Sequence, residues 1–126
     1  MNISMNNKDN YMKFSCRDVL LNKKISKSLI DKIKTLNNED VERITTLLSL
    51  LDNPIRFRIV YYLSQLPLPV CVLTYLLKAE QTVVSHHLAI LRKHNIIDAR
   101  VAGKYRVYYL KDERIKHLLF CIFRDK

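Results

Sequence analysis

The sequence predicts a mainly helical chain with a small β-hairpin near its end (mainly α, formally α+β). Three observations predict it. Apolar residues recur at three- and four-residue spacings through most of residues 23–94. The period shortens to two over residues 97–110, and the single glycine, Gly103, sits where that alternation turns round. The 126 residues are one domain's worth of chain, and 48% apolar content supports a packed core without staples.

Residues 1–22 read as a basic N-terminal arm, partly ordered, with a short helix open to Lys13–Leu21. The main domain then spans residues 23–126. Ile25, Leu29, Ile33 and Leu36 mark an amphipathic helix over about 23–36, which Asn37-Asn38 stops. Asn38 is the expected cap of the next helix, with Glu39, Asp40 and Glu42 in its first turn, where the helix dipole favours acids. Its apolar stripe is Val41, Ile44, Leu47, Leu48 and Leu51. Asp52-Asn53-Pro54 ends that helix and opens another, with Pro54 at the tolerated first position and Ile55, Ile59, Tyr62, Leu63 and Leu66 as its stripe.

Pro67-Leu68-Pro69 is a rigid connector. A short helix over about 70–78 should turn Leu73, Leu76 and Leu77 inward. After a turn at Ala79-Glu80, residues 81–94 form a helix with Val84, Leu88 and Leu91 on one face. Two such helices joined by a tight turn have the outline of a helix-turn-helix. The hairpin follows, with its tip expected at Ala102-Gly103. A last helix over about 112–123 should pack Ile115, Leu118, Leu119 and Ile122. Helices followed by a basic hairpin make a winged helix-turn-helix.

Charge and composition narrow the function. Twenty-two Lys and Arg against 12 Asp and Glu give a net charge of +10, which attracts polyanions, nucleic acid first among them. Residues 1–36 alone carry a net +5. One glycine excludes the glycine-rich loops that cradle nucleotide phosphates. Three cysteines without a C-x-x-C pair make neither a disulfide framework nor a structural zinc site. No apolar run is long enough to span a membrane, and Met1–Asn10 lacks the apolar stretch of a secretory signal, so a cytoplasmic protein is expected. The polar residues form no nucleophile–base pair at recognisable spacing, which argues against an enzyme.

Leu47–Tyr62 (LLSLLDNPIRFRIVYY), Val84–Arg92 (VSHHLAILR) and Gly103–Leu110 (GKYRVYYL) resemble the ArsR/SmtB family of winged-helix repressors. The likeness runs in register over about residues 40–118, and MarR-type winged helices are the nearest competing family. It implies a homodimeric regulator of double-stranded DNA, joined through its N- and C-terminal helices. On the recognition helix, Gln81, Thr82, Ser85 and His86 lie off the core stripe and can exchange hydrogen bonds with base edges or phosphates. The family's DNA contacts fall on these same positions. Ala89 shares their face and permits close approach. Arg92, Arg100, Lys104 and Arg106 are the expected phosphate contacts of the wing and its surroundings. His87 flanks the core stripe and reads as a half-buried histidine, while His94 is too far along the helix to share a metal with it.

Many members of the resembled family sense metals, so each ligand position was compared. One family site needs a Cys-x-Cys pair, and those positions hold Pro69 and Cys71, followed by Val72. Another begins with an Asp followed two residues on by His; Asp112 matches, but Arg114 holds the second position. Both inherited sites lack ligands, and no cofactor is expected. His117 and Cys121, four residues apart on the last helix, leave one cross-dimer Cys₂His₂ arrangement open. The small-molecule effector is undetermined by the sequence. A second functional reading is an RNA-binding or architectural basic module that uses the winged helix for shape alone.

Overall fold

The computed structural model describes residues 27–124; the expected arm over 1–22, with Cys16, lies outside the described residues. The chain divides into two units, Met1–Asp40 and Val41–Lys126. In the first, the described stretch opens with helix α1 (Lys27–Asp31), which ends five residues before the expected end at 36; residues 23–26 of the expected helix lie outside the described residues. It ends in tight turns in which the amides of Lys32 and Ile33 donate to the carbonyls of Leu29 and Ile30. None of its residues is buried, and Ile33 and Leu36 are exposed. Without a buried face, apolar periodicity alone does not carry the helix on to residue 36.

Helix α2 (Asn38–Leu51) is capped one residue earlier than expected, by Asn37 and not Asn38, the Asn37 Oδ1 accepting from the Asp40 amide at 2.7 Å. The α2 stripe splits into two faces. Leu51 is buried and Leu47 and Leu50 pack against the core, whereas Val41, Ile44 and Leu48 are exposed. Asn53 then caps α3 (Pro54–Leu63), accepting from the amides of Ile55 and Arg56, both at 3.0 Å, with Pro54 in the first turn.

The Pro67–Pro69 connector contributes a strand that the sequence reading missed. Strand β1 (Leu68–Pro69) pairs antiparallel with β3 (Tyr105–Leu110), which pairs on its other side with β2 (Ile97–Ala102). Two residues carry no detectable alternation, and proline is tolerated because β1 lies at the sheet edge. The hairpin turn is Gly103-Lys104, one residue beyond the expected tip, closed by the Ala102–Tyr105 pair. Gly103 has φ +63° as the first turn residue, the conformation that a type II′ turn asks of glycine.

Between β1 and β2 lie α4 (Val70–Leu77) and α5 (Gln81–Lys93). Lys78 ends α4 in the left-handed conformation at φ 52°, which forces the chain round into α5. Val84, Leu88 and Leu91 are buried, as their spacing predicts. On α4 only Leu73 is fully buried; Leu76, expected inward, is exposed. Helix α6 (Glu113–Phe123) buries Ile115 and Leu119 and lays Phe123 against the rings of Tyr61 and Phe57, at 4.8 and 6.4 Å. Leu118 and Ile122, expected to pack inward, face outward. Among the described residues no helix is long and apolar enough to cross a membrane.

Candidate nucleic-acid interface

Burial of Val84, Leu88 and Leu91 against the core leaves Gln81, Thr82, Ser85, His86 and Ala89 exposed on the opposite side of α5. The hairpin stands beside that helix. Strand register sorts its side chains: Ile97, Ala99 and Val101 share a face with Leu110, Tyr108 and Arg106. Asp98, Arg100 and Ala102 share the other with Tyr109, Val107 and Tyr105.

A groove of about 330 Å³ runs between α5 and β3, with Leu88, Ala89 and Tyr108 as an apolar floor and Ser85, Arg92, Lys93 and Arg106 as polar and cationic walls. It brings together Ser85, Ala89, Arg92 and Arg106 from the sequence-predicted set. Lys93 and Tyr108 were not on that list. The Arg106 guanidinium lies 5.6 Å from the Tyr108 ring centre, a cation–π distance that holds it along the strand. Arg92 is oriented differently, its Nε donating to Asp98 Oδ1 at 3.1 Å. The amide of Ala99 also donates to that oxygen and is the main reason the Asp98 carboxyl titrates below the usual range.

Two predicted residues stand apart from the groove. Lys104 sits at the hairpin tip, its ammonium 5.5 Å from the Tyr105 ring centre. Arg100, predicted like Arg106 to contact phosphate, lies on the opposite sheet face over Tyr109, at 5.9 Å, and borders a different hollow with Ser64, Gln65 and Lys116. Alternation along β2 dictates this: Arg100 pairs across with Val107, one residue out of phase with Arg106.

His86 and His87 are packed ring to edge with centroids 5.4 Å apart. His87 is half-buried, as expected, and its pKa is lowered by burial first, then by Arg56 and His86. His94 turns its Nδ1 back to the Ile90 carbonyl at 3.0 Å. Contact between Arg56 and His87 joins residues 31 apart in sequence, which no local pattern reveals.

At the second of the resembled metal sites the carboxylate already has donors from the protein itself. Asp112 caps α6 through the amides of Arg114 and Ile115, and Arg114 grips the same carboxylate with Nε at 3.2 Å and Nη2 at 2.7 Å. The guanidinium is the main cause of the lowered Asp112 pKa, and the Arg114 pKa rises in return. His117 and Cys121 are exposed on α6. Among the described residues no group of three or more His, Cys, Asp or Glu is placed to hold a metal ion.

Comparison with known proteins converges on one family. Residues 53–99 match the model of the family described as bacterial regulatory protein, arsR family. The chain is 33% identical over 82 residues to an uncharacterized HTH-type transcriptional regulator, MJ1325, of Methanocaldococcus jannaschii, covering 64% of this chain and 92% of that one. It is 33% identical over 84 residues to the HTH-type transcriptional regulator NmtR of Mycobacterium tuberculosis, covering 67% and 70%. In fold it is similar to a homodimeric winged helix-turn-helix DNA-binding domain from Mycobacterium bovis, at TM-score 0.57 and 18% identity, over 71% of this chain and 86% of that one. The chain belongs to the arsR family: it is a transcriptional regulator built on a winged helix-turn-helix DNA-binding fold, in a family that is not enzymatic.

Proposed function

We propose that the chain is a sequence-specific repressor that binds double-stranded DNA as a homodimer in the cytoplasm, without a metal response. One observation carries the reading: the exposed face of α5 and the cationic wall of the adjoining hairpin border a single groove. A helix of this kind enters the major groove, with Gln81, Thr82, Ser85, His86 and Ala89 toward base edges. Arg92, Lys93, Lys104 and Arg106 then meet phosphates, fixing register and supplying sequence-independent affinity. Arg100, on the other sheet face, is a secondary phosphate contact in this reading. Residues 1–22 add a basic arm.

The dimer reading rests on apolar surface. Leu48 is 52% exposed, Ile122 56% and Phe120 69%, and Val41, Ile44 and Leu118 extend the same helix faces. Exposed apolar faces of this extent mark interfaces. α2 and α6 are therefore the proposed contact surfaces, and the exposed Ile33 and Leu36 are a further candidate. The Mycobacterium bovis domain of similar fold is itself homodimeric. The Asp112–Arg114 pair supports the absence of a metal response, because the guanidinium occupies the carboxylate at one of the resembled ligand positions.

Selection from a randomised duplex library tests the reading. Recovery of a two-fold symmetric site bound far more tightly than its scrambled version supports it. Equal affinity for every duplex supports instead the architectural or RNA-binding alternative.

A further inference from the structure

Arg56, in the first turn of α3, spans three elements. Its Nε donates to the Leu50 carbonyl in the last turn of α2 at 2.7 Å. Its Nη1 lies 3.3 Å from Nδ1 of His87 on α5. Asn53 fixes the backbone of Arg56 from below, accepting from its amide. The guanidinium therefore ties the end of α2 and the start of α3 to the helix whose outer face reads DNA.

The chemistry of this contact dictates a protonation state. A guanidinium carries only donors, so Nδ1 of His87 is the acceptor and the imidazole proton sits on Nε2. Protonating Nδ1 removes the acceptor and sets two cations against each other. The charged and titratable groups acting on His87 are Arg56 from α3 and His86 from its own helix, and no carboxylate is among them. From α2 the clasp receives the Leu50 carbonyl.

We propose that Arg56 is a positioning residue for the reading helix, and that it acts through a neutral His87. The clasp sets the angle of α5 against α2 and α3, and protonation of His87 opens it. Acid then weakens sequence discrimination. This sign opposes the general electrostatic trend, in which added positive charge tightens every DNA complex. Burial and Arg56 both hold His87 below the ordinary pKa of 6.5, so the clasp is closed at neutral pH.

The proposal rests on the DNA-reading function above, and its test uses two readouts. The first is the His87 imidazole in free protein by nitrogen-15 NMR, which needs no DNA; a neutral ring with the proton on Nε2 is expected. The second is affinity for a library-selected duplex and its scrambled version, between about pH 8 and pH 5. Wild type should lose discrimination toward acid, by at most about thirtyfold per protomer at pH 5, the ceiling set by an ordinary histidine. His87→Gln, neutral at every pH and able to accept from Arg56, should hold its discrimination across the range. Arg56→Met should discriminate poorly throughout and lose the pH dependence, with circular dichroism reporting whether it is folded.

The same pH profile in wild type and His87→Gln overturns the proposal. So does a His87 that is protonated on Nδ1 at neutral pH. A protein that never discriminates between duplexes overturns the DNA-reading function, and the proposed consequence for DNA with it. The NMR result then still decides whether the clasp exists.

Discussion

Two arginines of the wing, six residues apart, should behave differently on DNA because the sheet turns them to opposite faces. Arg106 walls the groove beside α5, while Arg100 lies behind the sheet over Tyr109. Each phosphate neutralised releases counterions and steepens the plot of log affinity against log salt by about 0.9. One contact therefore costs about 3.5-fold in affinity between roughly 50 and 200 mM salt. Arg106→Gln removes one contact per protomer, so a dimer should lose about 1.8 from its slope. Arg100→Gln should lose less than half as much. The same shifts should appear on selected and on scrambled duplex, because phosphates carry no sequence. Tyr108→Leu should weaken the Arg106 contact, whereas Tyr108→Phe keeps the ring beneath the guanidinium and the slope with it. Fluorescence anisotropy across a salt series measures all four variants. Equal slope losses for Arg100→Gln and Arg106→Gln would refute the assignment of the groove face.

Other expectations follow from the same structure. Leu48→Glu or Ile122→Glu places a charge on an exposed apolar face and should convert a dimer to folded monomers in sedimentation equilibrium at micromolar concentration; a wild-type monomer would sink the interface. Affinity for the selected duplex should be the same with chelator or with added zinc, and a tenfold zinc effect abolished by Cys121→Ser would make the cross-dimer His117/Cys121 site the better account. Stability should fall with acid in two windows, each followed by urea titration. His87, lowered on folding, contributes stability that is full above its unfolded pKa near 6.5 and is lost as pH falls through its folded value. Asp112 does the same from its unfolded value near 3.8 downward. His87→Gln should remove the first window and leave the second.

Most of the fold was legible because burial repeats locally. Val84, Leu88 and Leu91 announce both the core face of α5 and, by subtraction, its exposed face. Where apolar residues serve two purposes, periodicity misled. Leu118 and Ile122 have helical spacing yet lie outside the core, because α6 carries a second apolar face. The α2 stripe splits for the same reason. Strand β1 was hidden by its length, since its two residues are too few to show an alternation. Within the candidate interface, the α5 residues were readable from helical spacing and family resemblance. Arg100 and Arg106 could be told apart only by register, and the Arg56–His87 contact only by tertiary packing.

In the proposed function α5 reads sequence while the wing holds phosphates. The decisive measurement is the ratio of affinities for selected and scrambled duplex in the double variant Ser85→Ala/His86→Ala. Both side chains are exposed on α5, so truncation removes base contacts without disturbing the core. Each lost base contact should cost about 1–3 kcal/mol on the selected duplex and almost nothing on the scrambled one. The ratio should therefore fall tenfold or more while the salt slope stays close to wild type. An unchanged ratio would contradict the claim that this helix face reads sequence.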